Sequence, residues 1–138
     1  MGLLNVFNVM QNGLVAQTSR LNLIAENLAN ADIAASSAEE AYKGQYPVFS
    51  SFFDQQNTNS QGQSVRYEGS VEDDRAPRKV FEPGNPKADE DGFVYLSNVN
   101  SVEEMANLME ASRSYQTNVE VMNTSKDLLM RTLRLGEA

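Results

Sequence analysis

The 138-residue sequence has no cysteine, no histidine and no tryptophan, and each absence removes a class of explanation. Without imidazole or thiolate there is no ready zinc ligand, no side chain that titrates near neutral pH as a general base, and no sulfur nucleophile. Metallohydrolase, cysteine-protease and Ser-His-Asp chemistries fall together. Disulfide stapling falls too, although a cysteine-free chain suits reducing and oxidising compartments alike. Cations are scarce: 11 Lys and Arg against 19 Asp and Glu give a net charge of −8, which opposes a sequence-independent grip on nucleic-acid phosphates. Long apolar runs are also missing. The longest, Phe93 to Leu96, falls far short of the ~20 residues that span a bilayer, so no direct membrane insertion is expected. The first charged side chain is Arg20, and Asn5, Asn8, Gln11 and Asn12 interrupt the apolar positions before it. No secretory signal peptide is therefore expected, since that needs a basic start and a continuous apolar core.

What is present is helical periodicity at both ends. Phe7, Leu14, Leu21 and Leu28 lie seven apart, and Leu3, Met10, Ile24 and Ala31 fill the complementary series, which Gln17 interrupts. This spacing predicts an amphipathic helix with one apolar seam. Residues 99 to 135 repeat the pattern, with Leu108, Tyr115, Met122 and Leu129 seven apart and Met105, Val119 and Leu133 on the second series. Ser101 with Glu104 reads as a capping box opening that helix. Arg131, Arg134 and Gly136 read as its end, where cations complement the helix dipole and glycine can close the last turn.

Between the helices the composition changes. All 4 prolines lie between residues 47 and 86, and 11 of the 19 acidic residues lie between Glu39 and Asp91. Short β-type runs replace the helical pattern at Tyr46 to Phe53, Ser64 to Val71, Arg78 to Glu82 and Gly92 to Ser97, with Val65, Tyr67 and Val71 expected on one face. Asp54 to Ser64 carries no large apolar anchor and is expected to be a mobile loop. Glu82-Pro83-Gly84-Asn85 predicts a type II turn, in which Pro83 presets φ and Gly84 takes the positive φ. The acidic run Asp89-Glu90-Asp91-Gly92 does not fit a calcium loop: with Gly92 at the sixth position, Lys87 and Asn98 occupy the first and twelfth, where carboxylates are required. Asp73 and Asp74 flank Arg75, Arg78 and Lys79 with no apolar walls to shift a pKa, so a mixed-charge surface is the expectation there. No catalytic, metal-binding or cofactor-binding residues are expected.

The fold class predicted is mainly α, in three parts: an amphipathic helix over 1–35, a small irregular β-containing module over 36–98 and a second amphipathic helix over 99–138. The two seams suit either an ordinary hairpin within one chain or a coiled-coil-like bundle between chains. Proportion favours the second, because paired helices bury one face each and the middle segment looks too polar to cover the rest. By pattern the assembly contacts are Leu14, Leu21, Ile24 and Leu28 on the first helix and Leu108, Tyr115, Val119, Met122 and Leu129 on the second. Asn27, Asn30, Gln116, Asn118 and Asn123 lie beside these rows, where amide hydrogen bonds would fix one docking register among several of similar hydrophobic energy.

Residues 19 to 35, SRLNLIAENLANADIAA, contain Asn27-Leu28-Ala29-Asn30, which resembles the N-terminal motif of the bacterial flagellar rod and hook proteins. Glu82-Pro83-Gly84-Asn85-Pro86 with Gly92, then Ser112-Arg113-Ser114-Tyr115-Gln116 and Asn118-Val119-Glu120-Val121, resemble the same family over residues 82 to 138. The centre, residues 36 to 81, matches loosely, and Ile33 stands where many members have Thr. The resemblance implies a non-enzymatic subunit of the proximal rod, the hollow drive shaft that transmits torque, polymerised through its terminal helices with the middle module outward. It implies a periplasmic basal-body location, reached through the flagellar type III export apparatus without signal cleavage. The implied neighbours are further copies of the chain, the rod proteins FlgB, FlgF and FlgG, and the adaptor FliE. The competing expectation is a cytosolic helical adaptor or chaperone that binds partner helices.

Overall fold

A computed structural model describes the backbone of residues 3–53 and 63–136 and the side chains of residues 6–51 and 64–135. The loop expected over Asp54 to Ser64 falls outside the described residues from Asp54 to Gly62. In chain order the elements are α1 (Leu3–Asn30), β1 (Gln45–Phe53), β2 (Gln63–Glu72), β3 (Arg78–Phe81), β4 (Phe93–Leu96) and α2 (Ser101–Gly136). The protein is thus mainly α, with a small module of antiparallel strands between two long helices.

The helices pack on each other within the chain. Arg20 Nη2 donates to Glu110 Oε2 at 3.4 Å, and a Cβ on Gly13 would lie 3.8 Å from Asn118 Nδ2, so α2 descends as α1 ascends. Gly13, Arg20 and Ile24, at helical spacing, mark the flank of α1 turned to α2. A second flank is covered as well. Asn12 Nδ2 donates to Ser64 Oγ at 2.7 Å, and Ala16, Leu23 and Asn27, on the same side of the helix, are buried. The expectation that the middle segment is too polar to cover a helix is corrected here, because the β1–β2 hairpin lies along α1 and reaches it through amides and hydroxyls.

β1 and β2 pair antiparallel from Gln45↔Glu72 to Phe53↔Gln63, with a register shift between Val48 and Phe49. Val48 faces Gly69 and Phe49 faces Tyr67, which leaves Glu68 as the extra residue of a β-bulge beside Gly69, whose φ is +133°. The bulge inverts the alternation, so Val71 points away from the face that Val65 and Tyr67 share, and the expected common face does not form. Phe49 and Tyr67 meet across the strands as a tilted pair with ring centroids 6.1 Å apart.

β3 and β4 pair antiparallel from Arg78↔Leu96 to Phe81↔Phe93, and Ala35 extends the edge by exchanging backbone hydrogen bonds of 2.8 and 3.1 Å with Tyr95. The expected turn at Pro83-Gly84 closes with Asn85 N–H donating to Glu82 O at 3.0 Å. Gly84 does not take the positive φ of a type II turn; that conformation belongs to Gly92, at φ +83°. A Cβ on Gly92 would come within 3.0 Å of Phe81 Cε2 and 3.2 Å of Pro83 Cβ. The acidic run before it is a structured turn: Asp89 accepts from Phe93 N–H at 2.8 Å, Asp91 N–H at 3.1 Å and Tyr95 Oη at 3.2 Å.

α2 opens one residue earlier than the capping box predicts. Asn100 is the cap, its Oδ1 accepting from Val102 N–H at 3.1 Å and Glu103 N–H at 3.4 Å. The shift turns Glu104 inward, where it is 2% exposed. The core sits at this base, where Val94, Val99, Ala31, Ala35, Ala41 and Ala111 are buried together with Asn27 and Ser97.

Candidate assembly interface

Among the described residues no group of carboxylates is placed to hold a metal ion, and the relevant geometry is which helix faces the fold consumes and which it leaves open. Two amides at the base tie the module to the helices. Asn27 Nδ2 donates to Gln45 O at 2.9 Å, while its Oδ1 accepts from Gln45 N–H at 2.9 Å and Tyr42 Oη at 3.0 Å. Asn98 Nδ2 donates to Asp73 O at 3.0 Å and Arg75 O at 2.8 Å, and its Oδ1 accepts from Gly44 N–H at 2.8 Å. These two side chains clamp the segment that crosses from α1 into β1. Tyr42 and Tyr46 stand beside it; burial raises the pKa of both hydroxyls, and neighbouring carboxylates, Glu26 and Glu72 at Tyr42 and Glu104 at both, push the same way. Tyr42 therefore stays a hydrogen-bond donor to Asn27 at any ordinary pH. Outside the base, the Arg75 side chain and backbone N–H hold the Asp73 carboxyl below its usual range.

The sequence-predicted contact residues divide by depth. Ile24, at 4% exposure, and Asn27, at 1%, are consumed inside the chain. Leu14, Leu21, Leu28 and Asn30 on α1 are half-buried, and Asn30 Nδ2 donates to the Glu26 carbonyl of its own helix at 2.7 Å. On α2, Leu108, Asn118, Val119, Met122 and Leu129 are half-buried, whereas Tyr115, Gln116 and Asn123 are exposed. Tyr115, Gln116, Val119 and Asn123 line a shallow groove along α2 that Glu120, Thr124 and Asp127 complete. Pro83 and Gly84 are exposed at the β3 turn, remote from the helix pairing.

The two helices are covered unequally. α1 is wedged between α2 and the β1–β2 hairpin, and among its described residues Val9 and Val15 are the large apolar side chains left exposed. Among the described elements α2 packs on α1 alone and exposes Val102, Met105, Met109, Val121, Leu128, Met130, Leu133 and Leu135. Most of these escape the two heptad series of the sequence. A signal exists: Met109, Gln116, Asn123 and Met130 are themselves seven apart, an outward row whose two central amides mask its apolar ends. Among the described residues, no helix is long and apolar enough to cross a membrane.

Residues 90–135 match the family model described as the flagellar basal body rod FlgEFG protein C-terminal region. Along 99% of the chain and the whole of each relative, the sequence is 44% identical to the flagellar basal-body rod protein FlgC of Salmonella typhimurium, 43% to that of Yersinia enterocolitica and 37% to that of Buchnera aphidicola from Acyrthosiphon pisum.

Proposed function

The chain belongs to the FlgC family of flagellar basal-body rod proteins, a structural component of the flagellum rather than an enzyme, and from that premise we propose that it polymerises through its terminal helices as a subunit of the proximal rod. The observation that carries the proposal is the unequal cover of the helices: α2 leaves Val102, Met105 and Met109 exposed towards its start and Val121, Leu128, Met130, Leu133 and Leu135 towards its end, surface that water disfavours and a polymer of helices would bury. In this reading α1 supplies rigidity, α2 supplies most of the contact between subunits, and Tyr115, Gln116, Val119, Met122, Asn123 and Leu129 are contact residues. Leu14, Leu21 and Leu28 complete the bundle where neighbours meet the outer side of α1, and the strand module points outward.

The partners proposed are other copies of the chain, FlgB, FlgF, FlgG and the adaptor FliE, with delivery to the periplasmic space by the flagellar type III export apparatus and no cleavage of the N-terminus. The test is fractionation of flagellated cells. Recovery of the chain in purified basal bodies, with its first twenty residues intact by mass spectrometry, is the expected result. A chain confined to the soluble cytosolic pool would favour the helical adaptor instead.

A further inference from the structure

The methionines whose side chains are described divide by depth. Met10 and Met122 are half-buried, whereas Met105, Met109 and Met130 are 54%, 68% and 49% exposed. All three exposed ones belong to α2. Met109 and Met130 end the outward row whose middle is Gln116 and Asn123, each of the four exposed, and Met105 stands one turn before Met109 on the same side of the helix. With no cysteine, histidine or tryptophan in the chain, thioethers are its most readily oxidised side chains.

We propose that Met105, Met109 and Met130 are oxidation sites, and that hydrogen peroxide acting there on a free subunit removes that copy from those able to polymerise. At each site the sulfur lone pair takes one oxygen of the peroxide, the O–O bond breaks, and the hydrogen of the transferred oxygen passes to the departing one, which leaves as water. Sulfur loses two electrons and the peroxide gains them. A flexible apolar side chain thereby becomes a sulfoxide, a polar acceptor with no proton to donate. Because Gln116 and Asn123 already make the middle of the row polar, oxidation of Met109 and Met130 leaves none of its four positions apolar, and a neighbouring helix would have to bury the new acceptors unpaired. The fold itself is spared, since none of the three side chains is buried within it. The inference rests on the reading that the chain polymerises through α2, and adds a chemical condition on which copies can do so.

The first measurement needs only the purified full-length chain. Treatment with hydrogen peroxide, quenching with free methionine and peptide mapping by mass spectrometry should show sulfoxide forming at Met105, Met109 and Met130 at least about fivefold faster than at Met10 and Met122. Urea should abolish the difference, and the oxidised chain should keep its melting temperature. Equal rates in the folded chain, a difference that persists in urea, or a large fall in melting temperature overturns the proposal. The second measurement repeats the reaction on purified basal bodies, where a neighbour covering α2 should slow oxidation of the three at least about tenfold relative to the free chain. A rod that contains the chain and leaves them as reactive as before overturns the proposal while leaving the rod reading intact. The third replaces all three together, Met105→Gln, Met109→Gln and Met130→Gln, placing a polar acceptor at each site in cells that lack the native copy. That variant should be soluble and intact in the cell yet absent from basal bodies, and its recovery there at the level of the unsubstituted chain overturns the proposal. Absence of the unsubstituted chain from basal bodies counts instead against the rod reading.

Discussion

Asn27 and Asn30 belong to one short sequence motif and read alike in the sequence, yet they do different things. Asn27 satisfies three hydrogen bonds at 1% exposure, whereas Asn30 bonds a carbonyl of its own helix. Asn27→Ala should destabilise the isolated protein by about 2 kcal/mol, since it strands the part-buried backbone N–H and carbonyl of Gln45. Asn30→Ala should fall within about 0.5 kcal/mol. Urea denaturation of the two variants checks the contrast. Glu104 is the residue whose fate is least legible: a carboxylate that reads as half of a cap is buried, with Oε1 accepting from Asn107 at 3.4 Å and Oε2 without a partner among the described residues. A single cap position, set by Asn100 rather than Ser101, decides that. Asp89 yields a pH prediction. The Phe93 backbone N–H is the main cause that lowers its pKa, with Tyr95, Lys79 and the Asp91 N–H helping. A depressed aspartate stabilises the fold above its unfolded value of about 4 and stops doing so as pH falls through the lower folded value. Thermal melts should therefore lose stability below about pH 4, and Asp89→Asn should flatten that acid slope.

At the scale of elements, hydrophobic period is a good guide and backbone sign is not. Both helices and all four described strands occupy the segments that their periodicity indicates, because the 3.6- and 2-residue repeats follow directly from where side chains point. The bulge at Glu68 and Gly69 leaves no mark in the pattern of Val65, Tyr67 and Val71, since an inserted residue changes phase without changing composition. The turn glycines mislead for a similar reason. Pro83-Gly84 is the stronger local signal, but the packing of Phe81 and Pro83 puts the left-handed residue at Gly92. Two alanine substitutions separate the roles of glycine. Gly92→Ala should cost about 1–2 kcal/mol for the left-handed backbone, with the contact to Phe81 adding to it. Gly13→Ala meets only ordinary contact with Asn118 and should stabilise α1 by up to about 1 kcal/mol. Melting temperatures moving in opposite directions are the expected outcome.

The whole molecule is a helical hairpin braced on one side, and the depth of a side chain predicts which process its loss disturbs. Ile24, at 4% exposure, and Leu128, at 58%, are both large aliphatic residues in the body of a long helix, but Ile24 falls on a heptad series and Leu128 lies outside both series of its helix. Ile24→Asp should unfold the subunit, because an unpaired carboxylate in the core costs several kcal/mol. Leu128→Asp should leave a soluble chain with unaltered melting temperature and abolish swimming. Soft-agar motility beside the level of intracellular protein distinguishes the two, and a motile Leu128→Asp strain would remove α2 from the contact between subunits.

The silence of charge along the first nineteen residues has a consequence for how the protein responds to its medium. Between α1 and α2 the described residues form one ion pair, exposed and 3.4 Å long, of a kind worth little, so the hairpin is held by apolar and amide contacts that dissolved ions hardly touch. The charges of α2, buried Glu104 apart, are spread along its exposed side in water, where a Debye length of about 8 Å at physiological ionic strength governs them. Ionic strength is then a dial connected to association and disconnected from folding. Raising salt from low to molar concentration should leave the melting temperature of the monomer nearly constant while dissolving its oligomers, a separation that calorimetry and light scattering on one sample would display together.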